Sequence, residues 1–199
     1  MVQFHRVNNA AVSFNGIHEN SVEHAETVIC TNFYGPKRLI EELWPTFRCS
    51  STVTRILNIS SRLGLLSRLR NEELRNMLLD EEKLSAKEIE GLVNLFVETV
   101  KNGTWKSKGW PKLWTDYAVS KLALNAYSKV LARDCKGKGI SVNCYCPGFT
   151  QTSMTGGKGK YTAEDAAEIG VRLTLLPPQH LPTGKFYLGS NPPNIYSKI

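Results

Sequence analysis

The chain has 199 residues, 41% of them hydrophobic and 22% charged, with a formal net charge of +7. That size and balance suit one folded domain with its own core and argue against intrinsic disorder. No stretch is long and apolar enough for a membrane span, and the start, Met1 to Arg6, has no apolar signal-peptide core.

The predicted elements follow in chain order. Phe4 to Val7 reads as a short strand running into Asn8-Asn9-Ala10-Ala11. Ser21 to Trp44 has apolar residues at helical spacing, with Ser21 as N-cap and a kink expected at Gly35-Pro36. Val53 to Ile59 is a β-branched run, a buried strand, followed by a loop at Ser61 to Gly64. Arg68 to Trp110 is rich in Glu, Lys and Leu and reads as two helices. The second carries Leu92, Phe96, Val97 and Val100 on one face and ends at Asn102-Gly103. Thr115 to Asp134 is a helix, and Ile140 to Tyr145 is a strand stopped by Pro147-Gly148. Thr162 to Leu173 is a helix capped by Thr162, and Phe186 to Leu188 is a last short strand.

Strands separated by helix-length connections predict an α/β fold with a parallel sheet. Ligands of such sheets sit at the carboxyl ends of the strands. That places Asn8-Asn9, Ser60-Ser61 and Cys146-Pro147-Gly148 on one rim.

The basic residues are scattered, and Lys136-Gly137-Lys138 and Lys158-Gly159-Lys160 read as solvated loops. The positive balance fits an enzyme with an anionic cofactor as well as it fits nucleic acid, and no nucleic-acid recognition motif accompanies it. The cysteines, Cys30, Cys49, Cys135, Cys144 and Cys146, are odd in number. They read as reduced thiols of a cytoplasmic protein. Cys144 and Cys146 lack the second ligand pair a zinc site needs.

Chemistry centres on Tyr117-Ala118-Val119-Ser120-Lys121 at the start of a helix. Residues four apart share a face, so a phenol and an ammonium are neighbours. A tyrosine normally ionises near pH ~10, and a nearby cation lowers that value toward the range general acid catalysis requires. Tyr-x-x-x-Lys also occurs by chance. Ser61, just after a strand, can hold a substrate oxygen or simply cap a turn. Asn32, in mid-helix where asparagine is a poor helix former, can anchor a water or face solvent.

Together these segments carry a resemblance. Asn-Asn-Ala after a strand, Thr-Asn-Phe-Tyr-Gly, Asn-Ile-Ser-Ser, Tyr-x-x-x-Lys and Cys-Pro-Gly-Phe-Thr-Gln-Thr occur in the order found in short-chain dehydrogenases/reductases. The block 66–113 before the tyrosine, with Lys108-Gly109-Trp110-Pro111, resembles the helical insertion of the monomeric carbonyl-reductase branch. The stretch Asn125-Ala126-Tyr127-Ser128 is most similar to plant menthol/neomenthol dehydrogenases and salutaridine-type reductases.

The resemblance implies a doubly wound, Rossmann-like parallel sheet and a carbonyl reductase or alcohol dehydrogenase using NADP(H) on a small ketone or aldehyde. It implies a monomer when complete, with no nucleic-acid or membrane partner. The catalytic set it implies is Asn32, Ser61, Tyr117 and Lys121. Tyr117 exchanges the proton, and Lys121 lowers the tyrosine pKa and holds the nicotinamide ribose. Ser61 holds the carbonyl oxygen, and Asn32 supports a water relay to Lys121. Asn8 and Ala10 are expected on the cofactor edge with Tyr117 and Lys121, and Pro147, Gly148 and Thr152 at the nicotinamide.

One departure matters. The family's Gly-x-x-x-Gly-x-Gly turn occurs nowhere in the sequence. By the resemblance, residues 1–199 form a single, incomplete domain that begins near the fourth strand and lacks the N-terminal cofactor-binding part. Such a chain is expected to be weak or inactive. The alternative is a non-catalytic remnant that pairs with another protein through an exposed sheet edge.

Overall fold

The computed structural model describes residues 4–14, 22–48, 53–177, 182–189 and 194–196. Five strands form one sheet in the order β1 (Phe4–Asn8), β2 (Thr54–Ile59), β3 (Ile140–Cys146), β4 (Phe186–Leu188) and β5 (Asn194–Tyr196). The first four run parallel, in a register that opposes Phe4 to Thr54, Thr54 to Ile140 and Cys144 to Phe186. β5, which periodicity did not reveal, returns antiparallel to β4. Each parallel crossover contains helices: α1 (Val22–Ile29) and α2 (Gly35–Arg48), then α3 (Glu72–Leu79), α4 (Ala86–Lys101) and α5 (Thr115–Asp134), then α6 (Ala163–Thr174).

Side-chain alternation separates the two faces of the sheet. Ile56, Ile140 and Val142 point to one side and share a core with Val119, Leu122, Ala123 and Ala126 of α5. Leu57, Tyr145 and Tyr187 point to the other side, against Ile169 and Leu173 of α6. The Tyr145 hydroxyl fixes that layer by donating to the Ala166 carbonyl at 3.0 Å. Helices cover both faces, as a doubly wound sheet requires.

α5 is buried nearly all round, because α1 and α4 pack on the side away from β3. α3 and α4 belong to the same core: Leu74, Ile89, Phe96 and Trp110 are continuous with the α5 residues. A buried indole needs an acceptor, and Trp110 donates to the Thr99 hydroxyl at 3.0 Å.

Where a single kinked helix is expected over residues 21–44, a π turn at Cys30–Tyr34 separates α1 from α2. It closes when the Gly35 N–H donates to the Cys30 carbonyl. Pro36 then falls in the first turn of α2, where its missing N–H costs nothing. Ser21, the expected cap, and Cys49 lie outside the described residues. Thr162 caps α6 as expected and completes a capping box with Asp165. No helix among the described residues is long and apolar enough to cross a membrane.

Candidate active site

Three strands end on one rim, and the chain after each lines a cleft of about 490 Å³. β1 supplies Asn9 and Ala11, β2 supplies Ser60 to Leu63, and β3 supplies Cys146 to Thr150. The first two turns of α5 add Tyr117 and Lys121, and the 3₁₀ turn at Ser153–Thr155 closes the mouth. The remaining walls, Leu113, Trp114, Phe149 and Met154, are apolar. A few convergent polar groups on an apolar cleft are the usual make-up of a small-molecule site.

The phenol of Tyr117 and the hydroxyl of Ser61, which follows β2, face each other in the cleft. Lys121 lies one turn on, its Nζ 5.5 Å from the tyrosine ring centroid. Its ammonium donates to the Ile59 carbonyl at 2.8 Å. Burial pushes the Lys121 pKa down to about 8, against the Cys144 and Cys146 sulfurs, which favour the charged form. Burial and the Cys146 sulfur raise the Tyr117 pKa, and the Ser61 bond lowers it. The cation therefore sits on a carbonyl beside the ring rather than on the phenol oxygen. The lowering of the tyrosine pKa expected from helical spacing is not found: burial raises it, and Lys121 is not among the groups that shift it.

Ser61, Tyr117, Lys121, Pro147, Gly148 and Thr152 all line the cleft. The other expected residues lie elsewhere. Asn8 is buried in the sheet, where it donates to Asn58 Oδ1 at 2.7 Å and accepts from Arg6 Nε at 2.8 Å. Ala10 is exposed off the lining, and its neighbours Asn9 and Ala11 take the rim positions instead.

Asn32 is fully buried in the π turn. Its Oδ1 accepts from the Val12 N–H at 2.8 Å, and its Nδ2 donates to the Val12 carbonyl at 2.9 Å and to Ser120 Oγ at 3.1 Å. Its side chain ties the segment after β1 to α5 and does not reach Lys121. Residues 12, 32 and 120 are brought together only by tertiary packing.

A second network fixes the distance between Ser61 and α5. Asn125, one turn beyond Lys121, accepts from Ser60 Oγ at 2.5 Å and donates to the Gly64 carbonyl at 3.0 Å. Gly64 itself lies flat against the helix, where a Cβ would fall 2.4 Å from the Lys121 carbonyl carbon. The helical step from 117 to 121 to 125 was a legible signal for Asn125. The close approach at Gly64 was not.

A parallel sheet wound on both faces, with a serine, a tyrosine and a lysine converging at the strand ends, defines a dehydrogenase-like α/β protein. The chain belongs to the short-chain dehydrogenase/reductase family: the short chain dehydrogenase model matches residues 106–163, which contain Tyr117 and Lys121. The chain is similar to short-chain dehydrogenase/reductase 1 of Saponaria officinalis, at 39% identity over 92% of this chain and 59% of that protein. It is 35% identical to carbonyl reductase [NADPH] 1 of Mus musculus, over 90% of this chain and 65% of that protein. Salutaridine reductase from Papaver somniferum superposes with a TM-score of 0.84 and 31% identity, over 92% of this chain and 71% of that structure. The chain thus spans about six-tenths of the length of these curated relatives.

Proposed function

We propose that the chain carries the catalytic part of an NADP(H)-dependent oxidoreductase that interconverts a ketone or aldehyde and its alcohol. The observation that carries this reading is the convergence of the Ser61 hydroxyl, the Tyr117 phenol and, one turn away, the Lys121 ammonium in the same cleft.

A carbonyl oxygen entering between Ser61 and Tyr117 can accept from two donors, one hydroxyl from each residue. Both strengthen as negative charge develops on that oxygen. Tyr117 then delivers its proton to the oxygen, or removes it in the alcohol direction. Lys121 supplies a positive charge beside the phenolate that forms. Asn32 and Asn125 hold the elements that carry these groups.

The rim fits the nicotinamide end of a dinucleotide. Ala11 and Gly148 are small, and an ammonium has three donors, of which the bond to Ile59 takes one. Asn9, Ala11, Lys121, Pro147, Gly148 and Thr152 would hold that end. When bound, the nicotinamide supplies or accepts the hydride. The carbonyl reductase [NADPH] 1 of mouse, similar along most of this chain, favours the phosphorylated dinucleotide. No Gly-x-x-x-Gly-x-Gly turn is present in these 199 residues. Such a turn feeds the helix N-terminus that binds pyrophosphate, so weak cofactor binding is expected of this chain by itself. We also take it to act as a monomer in the cytoplasm.

The test is NADPH consumption with a panel of aliphatic, alicyclic and aromatic ketones at millimolar cofactor, for the chain as given and for Tyr117→Phe. Any turnover should fall at least about 100-fold in the variant. NADPH-dependent ketone reduction that survives Tyr117→Phe unchanged would overturn the assignment.

A further inference from the structure

Trp114 is the only non-glycine residue with positive φ among the described residues, at φ 47° and ψ 59°. The left-handed region is unfavourable for a bulky side chain and is normally left to glycine or asparagine. The same residue carries a second local cost, because its indole Nε1 is buried with no hydrogen-bond partner. It lies directly before α5, three residues from the phenol. Its ring meets the Tyr117 ring edge-to-face, at 5.8 Å between centroids and 85° between planes. The indole also lines the cleft.

The surrounding contacts show how this conformation is imposed. Trp110, four residues earlier, is locked in the core and bonded to Thr99. The Gly109 carbonyl accepts from the N–H groups of Arg70 and Asn71. Thr115 Oγ1 reaches back to the Pro111 carbonyl at 2.8 Å, while the Trp114 carbonyl accepts the first helical bond, from the Ala118 N–H, at 2.7 Å. The chain must turn between these anchors, and Trp114 absorbs the turn. A small or flexible residue would do so without strain. Strained positions that persist beside reacting groups are candidates for a functional constraint.

The geometry points to Trp114 as a positioning residue: its left-handed backbone sets the indole against the Tyr117 ring and keeps the phenol turned toward Ser61. This inference rests on the oxidoreductase reading for its consequence in catalysis, but not for the contact itself. The groups that face the phenol are Ser61, Lys121 and Cys146. Among the ring contacts of Tyr117, the indole of Trp114 is the aromatic one. It restrains the swing of the phenol ring, because an aromatic pair at this distance prefers the edge-to-face arrangement.

The test compares Trp114→Asn, which suits a left-handed backbone without an aromatic ring, with Trp114→Phe, which keeps a ring. Trp114→Gly replaces the asparagine variant if that one does not fold. The first readout needs no reaction: the 13Cζ signal of Tyr117, assigned by its loss in Tyr117→Phe. Trp114→Asn should move the signal to the position produced by Ser61→Ala, and adding Ser61→Ala should move it no further. Trp114→Phe should leave it at the wild-type position. The second readout is turnover with NADPH and a ketone that the wild type reduces. Here kcat should fall about tenfold or more in Trp114→Asn, with KM within about threefold, and recover in Trp114→Phe. A Tyr117 signal unchanged in a folded Trp114→Asn protein overturns the inference. Absence of NADPH-dependent turnover in the wild type would instead defeat the oxidoreductase reading, and the 13Cζ comparison would still decide the role of Trp114.

Discussion

Replacing Gly64 with alanine tests whether the spacing between the Ser61 loop and α5 is set by direct backbone contact. A Cβ at this position would lie 2.4 Å from the Lys121 carbonyl carbon, 2.5 Å from the Leu122 nitrogen and 2.8 Å from Lys121 Cβ. Carbon atoms in contact prefer about 3.5–4.0 Å, so loop and helix must separate by roughly 1 Å. Neither side yields easily, because the obstacle is the backbone of a buried helix. Overpacking of this kind costs about 1–3 kcal/mol. The separation would also stretch the Asn125 bonds to Ser60 and Gly64, now 2.5 and 3.0 Å. Ser61 and Lys121 lie on opposite sides of this contact, so the reacting groups move apart by a similar amount, a displacement that can cost about 100-fold in rate.

The assay is urea unfolding followed by steady-state turnover, with Gly91→Ala as control. Gly91 sits in α4 with nothing within 4 Å of its would-be Cβ. There alanine should stabilise the helix by about 0.5–1 kcal/mol. If Gly64→Ala matches the wild type in both midpoint and rate, the close approach does not hold the site.

Two further outcomes follow from groups buried under the cleft. Lys121 has its pKa lowered by burial from 10.5 to about 8, so between those values the unfolded chain binds more protons than the folded one. By linkage, the stability of the wild type relative to Lys121→Met should rise through that window, by on the order of 3 kcal/mol in total, and be flat below pH 8. Parallel urea-midpoint profiles for the two proteins from pH 7 to 10.5 would contradict the burial of the charge. Asn125→Ala leaves the Ser60 hydroxyl and the Gly64 carbonyl without their partner, at about 1–3 kcal/mol each. Asn125→Asp keeps the acceptor for Ser60 and should lose less. Equal unfolding midpoints for both variants and the wild type would remove Asn125 from the scaffold of the site.

Much of the architecture was legible without coordinates, because it rests on local periodicity. The buried strands at 54–59 and 140–146, the helix Thr115–Asp134 and the capped helix after Thr162 show in their local composition, breakers and caps. The rim positions of Ser61, Pro147 and Gly148 follow from parallel strands ending together. The adjacency of Tyr117 and Lys121 follows from the helical repeat. What only the tertiary structure decided are the contacts between residues far apart in the chain. Asn32 turned from a helix residue of open role into a clamp on Val12 and Ser120, 20 and 88 positions away. Asn8 is held inside the sheet by Asn58, 50 positions away, and Asn9 and Ala11, beyond the strand end, line the cleft. The pairing of β5 with β4, the flat approach of Gly64 to α5 and the left-handed turn at Trp114 have no period to announce them. The balance of charges at the site was also out of reach, since desolvation depends on how completely the fold closes over a group. The order of residues specifies which groups are near one another along the chain, and only packing specifies how far each is removed from water.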